Sequence, residues 1–331
     1  MGSHEATKER NETIKSIILS RPELGILVGA VALIVVFTIL NPFFLAPSTV
    51  AGILSIASEL GVITIGVALL MISGEFNLAV SSIYVLAPVL AVILVNNGTS
   101  TPVAFLTSLL IAACIGGIIG ITVVKTQLHS FIVSLGFMML LRGVTLFITG
   151  GFPQEYQGDP HYLYILNGRI VGDFRTSAFW FVGVLLLFTV LLEYTRYGNW
   201  CFAAGGNPLV AHRVGVSVGK VKILNFVISS VLAGFAGFFS MSRLGLVDPS
   251  WGYGLELEAI AAAVVGGCSL FGGYGSIIGA AIGAITLSMF RVGLVLAGAP
   301  PYWYKAFVGP ILIAATIVNY RMMRRVLTRR K

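Results

Sequence analysis

Charge is scarce in this chain, and its scarcity excludes the classes of protein that depend on a solvated surface. Of the 331 residues only 10% are charged, whereas 57% are hydrophobic. Typical soluble domains carry about 25% charged residues. A soluble fold could not hide so much apolar surface, so the composition predicts an integral membrane protein.

Residues that build catalytic and metal sites are also few. The three cysteines, Cys114, Cys201 and Cys268, form no CxxC pair, which excludes a disulfide framework and a cysteine metal site. The four histidines are scattered and form no HExxH motif. A phosphate loop of the form GxxxxGK followed by Ser or Thr is missing, so the chain is not its own ATPase by that route. We therefore predict no enzyme activity and no metal.

Long apolar stretches occupy most of the sequence. A hydrocarbon core of ~30 Å needs ~20 apolar residues per helix, and ten stretches come close to that length. They are residues 24–43, 49–72, 80–96, 102–124, 129–149, 177–194, 223–243, 255–269, 275–297 and 303–320. This pattern predicts an all-α integral membrane protein with ten transmembrane helices in residues 24–320. The eighth stretch is short, which favours a tilted or pore-lining half-helix.

The basic residues indicate how the helices are oriented. If the amino end is cytoplasmic, fifteen of the 21 Lys and Arg residues fall on the cytoplasmic side, four outside and two within spans. Because cytoplasmic loops carry the excess of Lys and Arg, both termini are predicted to be cytoplasmic, as an amino-terminal tail (1–23) and a basic tail (321–331). The net charge of +8 is explained by this topology and by anionic lipid, and no nucleic-acid partner is expected.

Two loops are longer than the others. Residues 150–176 are predicted to form an ordered external loop. The cytoplasmic loop, 193–222, carries signals for a two-turn helix, because Asn207 can cap it, Pro208 suits its first position and Gly215 suits a left-handed stop. Such a short helix is not stable alone in water, so its apolar residues should contact either the membrane surface or a separate cytoplasmic protein.

Two glycine-containing segments follow apolar stretches in a similar way. Residues 73–78 (SGEFNL) resemble residues 266–270 (GGCSL), and both precede a new span. Transporters break helices at such places to line a pathway, although chance similarity between glycine-rich segments explains the match equally well.

Charged and polar residues at membrane depth are expensive and indicate a pathway or a buried pair. Arg142 is a candidate for an ion pair with Glu59, and Arg291 also lies within a span. Glu256 and Glu258 could instead be solvated carboxylates at the interface. The pathway candidates are Glu59, Glu75, Phe76, Asn77, Arg142, Glu256 and Glu258.

Four segments resemble the permease subunits of bacterial and archaeal ATP-binding-cassette (ABC) importers of the ribose/xylose/arabinose/galactose class. They are residues 73–78, 141–145 (LRGVT), 205–215 (GGNPLVAHRVG) and, most specifically, 254–275 (GLELEAIAAAVVGGCSLFGGYG). They occur in the family's order and spacing over nearly the whole chain.

The resemblance implies a ten-span subunit in the inner membrane of a bacterium or archaeon, working with a second permease copy or a paralogue. ATP and Mg would be bound by separate ATPase subunits, and solute would arrive from an external binding protein, with no cofactor in this chain. The resemblance also implies that this chain carries a coupling helix on which the ATPase subunits dock. Its residues would be Asn207, Pro208, Leu209, Val210, Ala211, His212 and Arg213. Acidic candidates for docking the binding protein are Glu155, Asp159, Asp173 and Asp248.

The sequence also departs from the family pattern. Asn77 stands where Asp is usual, Ala79 and Ser81 stand where Ser and Gly are usual, and His212 occupies an Arg position with Arg213 displaced by one. These changes leave the cargo open between a simple sugar and a related small polar solute such as a nucleoside. The alternative is an ion-coupled secondary transporter with Glu59 or Glu75 as its proton or sodium site.

Overall fold

A helix occupies each of the ten predicted apolar stretches. The computed structural model of the chain describes the backbone of residues 22–328 and the side chains of residues 27–317. The ten helices are α1 (Pro22–Leu40), α2 (Pro47–Ile72), α3 (Val80–Asn96), α4 (Thr101–Thr126), α5 (Ser130–Thr149), α7 (Ser177–Tyr194), α10 (Val218–Leu244), α11 (Leu255–Val265), α12 (Ile277–Leu296) and α13 (Trp303–Thr328). Most of the predicted amino-terminal tail and the end of the basic tail lie outside the described residues.

Shorter elements lie between these helices. They are the 3-10 turn Pro42–Leu45, the helices α6 (Pro160–Asn167), α8 (Arg196–Gly206) and α9 (Pro208–Arg213), and the strands β1 (Gln154–Glu155), β2 (Arg169–Val171), β3 (Phe174–Arg175) and β4 (Leu246–Val247). Strand β1 pairs with β4 and β2 with β3, both antiparallel.

The helices differ in their ability to cross a membrane. Six described helices, α2, α4, α5, α7, α10 and α12, are long and apolar enough to do so, and α3 and the described parts of α1 and α13 are shorter apolar helices. Helix α11 has 11 residues and is about 16 Å long, about half of the hydrocarbon thickness. The chain is thus a helical membrane protein, and α11, which corresponds to the eighth predicted stretch, has about half the length needed to cross the membrane. The count of ten crossings stays a prediction.

Helices α2 and α10 form the centre of the bundle. In α2, 83% of an 18-residue apolar window is buried, against 17% in α5. Small residues let the central helices approach closely: an ideal Cβ on Gly66 of α2 would lie 2.9 Å from the Cα of Ser229 in α10. Helix α4 packs on α10 in the same way, through Gly116 and Gly120. The apolar faces of α4, α5 and α7 point outward.

Residues 150–176 contain the helix α6 and the strands β1, β2 and β3. Asp159 caps the amino end of helix α6, where its carboxylate accepts a hydrogen bond of 2.9 Å from the amide of His161. The side chain of Asn96, at the end of α3, donates to the carbonyl of Glu155 and accepts from the amide of Gln157. The loop is therefore fixed to the bundle at several points.

Candidate functional site

A non-helical segment, residues 248–254, enters the bundle before α11. The guanidinium of Arg142 donates to the carbonyl oxygens of Pro249 (3.1 Å) and Trp251 (2.6 Å). Arg142 lies on α5, seven residues before the end of the helix at Thr149. This separation corresponds to about 10 Å along the helix axis. Irregular backbone inside a membrane protein needs partners from the protein, and Arg142 supplies a donor to two carbonyl groups of this segment. We call this contact the Arg142 clamp.

The predicted pair of Arg142 with Glu59 is wrong. Glu59 pairs with Arg243 at the end of α10 (3.3 Å) and accepts a hydrogen bond of 2.8 Å from the hydroxyl of Ser240. The physical reason is the packing order, because α10 lies beside α2 whereas α5 packs against α3 and the 248–254 segment. Arg243 is the last residue of the predicted span 223–243 and is counted among the four basic residues on the external side, so sequence reasoning did not consider it as a partner for Glu59.

A cavity of about 380 Å³ adjoins this segment, and we call it the Glu59 cavity. Glu258 lies 4.0 Å from Arg291, and Lys305 donates to the carbonyl of Tyr253 (2.9 Å). Each carboxylate of the lining therefore already faces a cation. The charged residues that line it are Glu59, Arg243, Glu258, Arg291 and Lys305.

A second cavity of about 890 Å³, the Glu75 cavity, lies near the start of α10. It is lined by the break after α2, by the end of α4 and the start of α5, and by α13. Lys222 of α10 forms an ion pair of 2.5 Å with Glu75 in its wall. Leu257 and Ile260 of α11 line this cavity, whereas Leu255 and Glu258 of the same helix line the Glu59 cavity. Helix α11 therefore separates the two cavities.

The three remaining pathway candidates, Asn77, Phe76 and Glu256, differ in whether they line a cavity. Asn77 is buried and donates to the hydroxyls of Ser229 (3.0 Å) and Ser230 (3.3 Å), which fixes the break after α2 to α10. Phe76 lines the Glu75 cavity. Glu256 is buried but lines neither cavity, and its Oε2 atom has no hydrogen-bond partner among the described residues.

Helix α9 is the predicted short helix of the 193–222 loop, and it ends as expected. The side chain of Asn207 accepts a hydrogen bond of 3.1 Å from the amide of Val210, and Gly215 has φ +87°. Ala211 is buried and attaches the helix to the bundle, whereas Leu209 is 79% exposed and Val210 54% exposed. His212 and Arg213 are also exposed. The helix therefore presents two apolar side chains and two basic ones on its free face.

Helix α8 precedes α9 and is fixed to α10 by a contact that the sequence did not reveal. The phenol of Tyr197 donates to the side-chain oxygen of Asn225 (2.6 Å), and Asn225 donates to the carbonyl of Leu69 at the end of α2 (3.4 Å). Burial raises the pKa of Tyr197, so the phenol keeps its proton and remains a donor at neutral pH. Burial likewise raises the pKa of the Cys201 thiol, which leaves it unreactive.

The four acidic docking candidates do not form one cluster. Glu155 lies opposite Leu246 in the β1–β4 pair, two residues from Asp248. Asp159 caps α6, and Asp173 lies in the turn between β2 and β3, 3.8 Å from Arg169. Asp248 is half-buried and the other three are exposed. In the part of the chain that the structure describes, no three His, Cys, Asp or Glu side chains are placed to hold a metal ion.

A short helix that follows a non-helical segment and has a cavity on each of two faces favours a solute transporter, because transporters line their pathway with interrupted helices. Comparison with known proteins agrees with this class. Residues 49–316 match the family described as "Branched-chain amino acid transport system / permease component", and the chain belongs to that family.

Relatives with similar sequences are import permeases. The chain is 31% identical to the xylose/arabinose import permease XylH of Sulfolobus acidocaldarius, over 93% of this chain and 87% of the relative. It is 32% identical to the ribose import permease RbsC of Escherichia coli K12, over 88% and 92%. It is 33% identical to the autoinducer 2 import permease LsrC of Enterobacter sp. strain 638, over 94% and 90%. No solved structure matches the chain.

The protein is thus a multi-pass membrane permease subunit of a prokaryotic ABC importer, and it is not the catalytic subunit. Membership of such an importer implies separate ATPase subunits and a solute-binding protein as partners.

Proposed function

We propose that this permease imports a simple sugar or a related small polar solute. Transport would be driven by ATP hydrolysis on partner subunits that bind to α9. The relatives' names specify xylose or arabinose, ribose and autoinducer 2. Each carboxylate of the Glu59 cavity already faces a cation, so a cationic solute would compete with an existing ion pair.

We propose ten crossings, from the ten apolar stretches, and cytoplasmic termini, from the basic-residue bias; the layout of α10 supports this orientation. Helix α10 has 27 residues and is about 40 Å long. Its start follows α9, and its end leads into β4, which pairs with the 150–176 loop. The coupling loop and the 150–176 loop therefore lie at opposite ends of one membrane-length helix, as a cytoplasmic and an external loop would.

The solute would pass from the Glu59 cavity to the Glu75 cavity, on opposite faces of α11. Glu59 and Glu258 would line the outer half of the pathway, and Glu75 and Phe76 the inner half. In this scheme Arg142 and Asn77 hold the non-helical segments in place and do not contact solute. Glu256 lines neither cavity, so we assign it no contact with solute either.

Partner contacts complete the proposal. The binding protein would dock at the end of the molecule that carries the 150–176 loop, where Glu155, Asp159 and Asp173 are exposed and Asp248 is half-buried. The outward apolar face of α5, which includes Phe131, Met139 and Phe147, would meet a second permease copy, a paralogue or lipid.

The ion-coupled alternative is less well supported by the geometry. It needs Glu59 or Glu75 as a proton or sodium site, but Glu59 pairs with Arg243 and Glu75 with Lys222. A second cation at either carboxylate would have to displace the first.

The observation that carries the proposal is the exposed apolar face of α9. Replacing Leu209 or Arg213 by Asp should abolish ATP-driven uptake and the stimulation of ATPase activity by loaded binding protein, because a charge of the wrong sign enters a docking contact. Membrane insertion should stay normal. The importer would be reconstituted with its ATPase and binding protein, and uptake of labelled ribose or xylose measured.

Tyr302 provides a matched control, because it is 73% exposed but lies between α12 and α13, outside α9 and apart in sequence from the four acidic docking candidates. Tyr302→Asp should transport normally. Normal uptake by both the Leu209 and the Arg213 variants would rule out α9 as the coupling element.

A further inference from the structure

Three backbone segments meet close to α9 with almost no side chains between them. They are the end of α8 at Gly205–Gly206, the break after α2 at residues 72–74, and the break between α11 and α12 at Gly272–Gly273. The amide of Gly273 donates to the carbonyl of Ile72 (2.8 Å), which joins the two breaks directly. We call the contact of Gly74, Gly205, Gly206, Gly272 and Gly273 the glycine joint.

The joint leaves no room for side chains at its centre. An ideal Cβ on Gly272 would lie 2.8 Å from the Cα of Gly74 and 2.9 Å from the carbonyl oxygen of Gly205. A Cβ on Gly205 would overlap the carbonyl oxygen of Ile72 and lie 2.6 Å from the amide nitrogen of Gly273. Because these neighbours are backbone atoms, they cannot rotate away, and any side chain at Gly205 must push the segments apart.

The joint connects α9 to both walls of the Glu75 cavity. Asn207, the cap of α9, directly follows Gly206. On the other side, Gly74 leads into Glu75 and Phe76 in the cavity wall, and Gly272 follows Leu270, which lines the same cavity after α11. A displacement of α9 would therefore reach the break after α2 and the far end of α11 through rigid backbone contacts.

We propose that the glycine joint transmits the movement of α9 to α11 and to the break after α2, and that Gly205 is its positioning residue. This inference rests on the proposed function of α9 as the element gripped by the ATPase. Direct backbone contact transmits a displacement without the slack that side-chain rotamers would introduce.

The chain offers a matched pair of variants for the test. A Cβ on Gly206 would have its nearest neighbour, the Cα of Gly273, at 3.8 Å, which is an ordinary contact. In the complete importer in lipid nanodiscs, Gly205→Ala should keep basal ATP hydrolysis but lower its stimulation by loaded binding protein about tenfold, a typical size for coupling between sites. Gly206→Ala should behave as wild type. Equal stimulation in the two variants, with both folded, would overturn the proposal.

A second measurement needs no variant and applies if Gly205→Ala does not fold. Hydrogen exchange of the wild-type importer would be followed with and without a non-hydrolysable ATP analogue. The Gly273 amide should change its exchange rate together with the amides of α9, whereas the Gly98 amide, in the turn between α3 and α4, should not.

The outcomes separate the two levels of the proposal. If the exchange of α9 is the same in the permease alone and in the complete importer, which is measured as a third sample, the coupling role of α9 itself fails. If α9 becomes protected but ATP binding leaves Gly273 unchanged, only the glycine joint is refuted.

Discussion

The two ends of α11 are held in opposite ways. Before the helix, a charged side chain fixes the backbone: the Arg142 clamp donates to two carbonyl groups of residues 248–254. After the helix, backbone meets backbone at the glycine joint, with the amide of Gly273 on the carbonyl of Ile72. The clamp is local and strong, because charge-assisted hydrogen bonds are about twice as strong as neutral ones. The joint depends on an absence of side chains.

Because of this difference, the two ends of α11 should be sensitive to different kinds of substitution. The clamped end should be sensitive to loss of a side chain, and the jointed end to the addition of one. The clamped end adjoins the Glu59 cavity and the jointed end adjoins the Glu75 cavity and α9. We therefore expect the first to set stability and the second to set coupling.

The largest stability effect should come from breaking the clamp. Arg142→Met removes two hydrogen bonds and leaves two carbonyl groups without their donor, so the free energy of unfolding should fall by about 3 kcal/mol. Thermal unfolding of the purified permease in detergent would measure it. Arg169→Met is the control, because that side chain is 66% exposed in the β2–β3 hairpin, and it should change stability by less than about 0.5 kcal/mol. An unchanged Arg142→Met protein would show that the clamp does not hold the segment.

A smaller loss should follow from breaking the ion pair beside the joint. Lys222→Met leaves Glu75 without its cation in a largely buried position, where the two side chains are 18% and 12% exposed. We expect a loss of about 2 kcal/mol, below the range for fully buried pairs because some solvent reaches the site.

Lys220 lies two residues away on the same helix and is exposed, so Lys220→Met provides the comparison. The same unfolding measurement should show little change for it. Equal stability of the Lys222 and Lys220 variants would mean that the Glu75 pair contributes nothing.

The smallest effect should come from the support of α8. Tyr197→Phe removes one hydrogen bond to Asn225 and should cost about 1 kcal/mol. Coupling should survive, since the glycine joint itself is unchanged. A large loss of stimulated ATPase activity in a stably folded Tyr197→Phe protein would contradict the idea that backbone contacts alone carry the movement.

The positions of the helices were predictable because they depend on local physical requirements. Membrane thickness fixes the length of an apolar stretch, and α3 and α7 begin and end at the predicted residues. The ends of α9 were predictable for the same reason, since Asn207, Pro208 and Gly215 act on their own neighbours.

The partners of the buried charges were not predictable, because they depend on which helices pack together. Arg142 and Glu59 are both isolated charges in apolar stretches, and pairing them was reasonable but wrong. The paired glycines at 205–206 and 272–273 were visible in the sequence. Only the fold shows that these two pairs touch, because they are brought together by helices that lie far apart in the chain.

The central claim is that this subunit moves solute only when a partner performs work on it. The direct measurement is uptake of labelled ribose or xylose into liposomes that contain the permease, with and without its ATPase subunits, binding protein and ATP. We predict uptake with the complete set and ATP, and none by the permease alone under a proton or sodium gradient. Gradient-driven uptake by the permease alone would contradict the account.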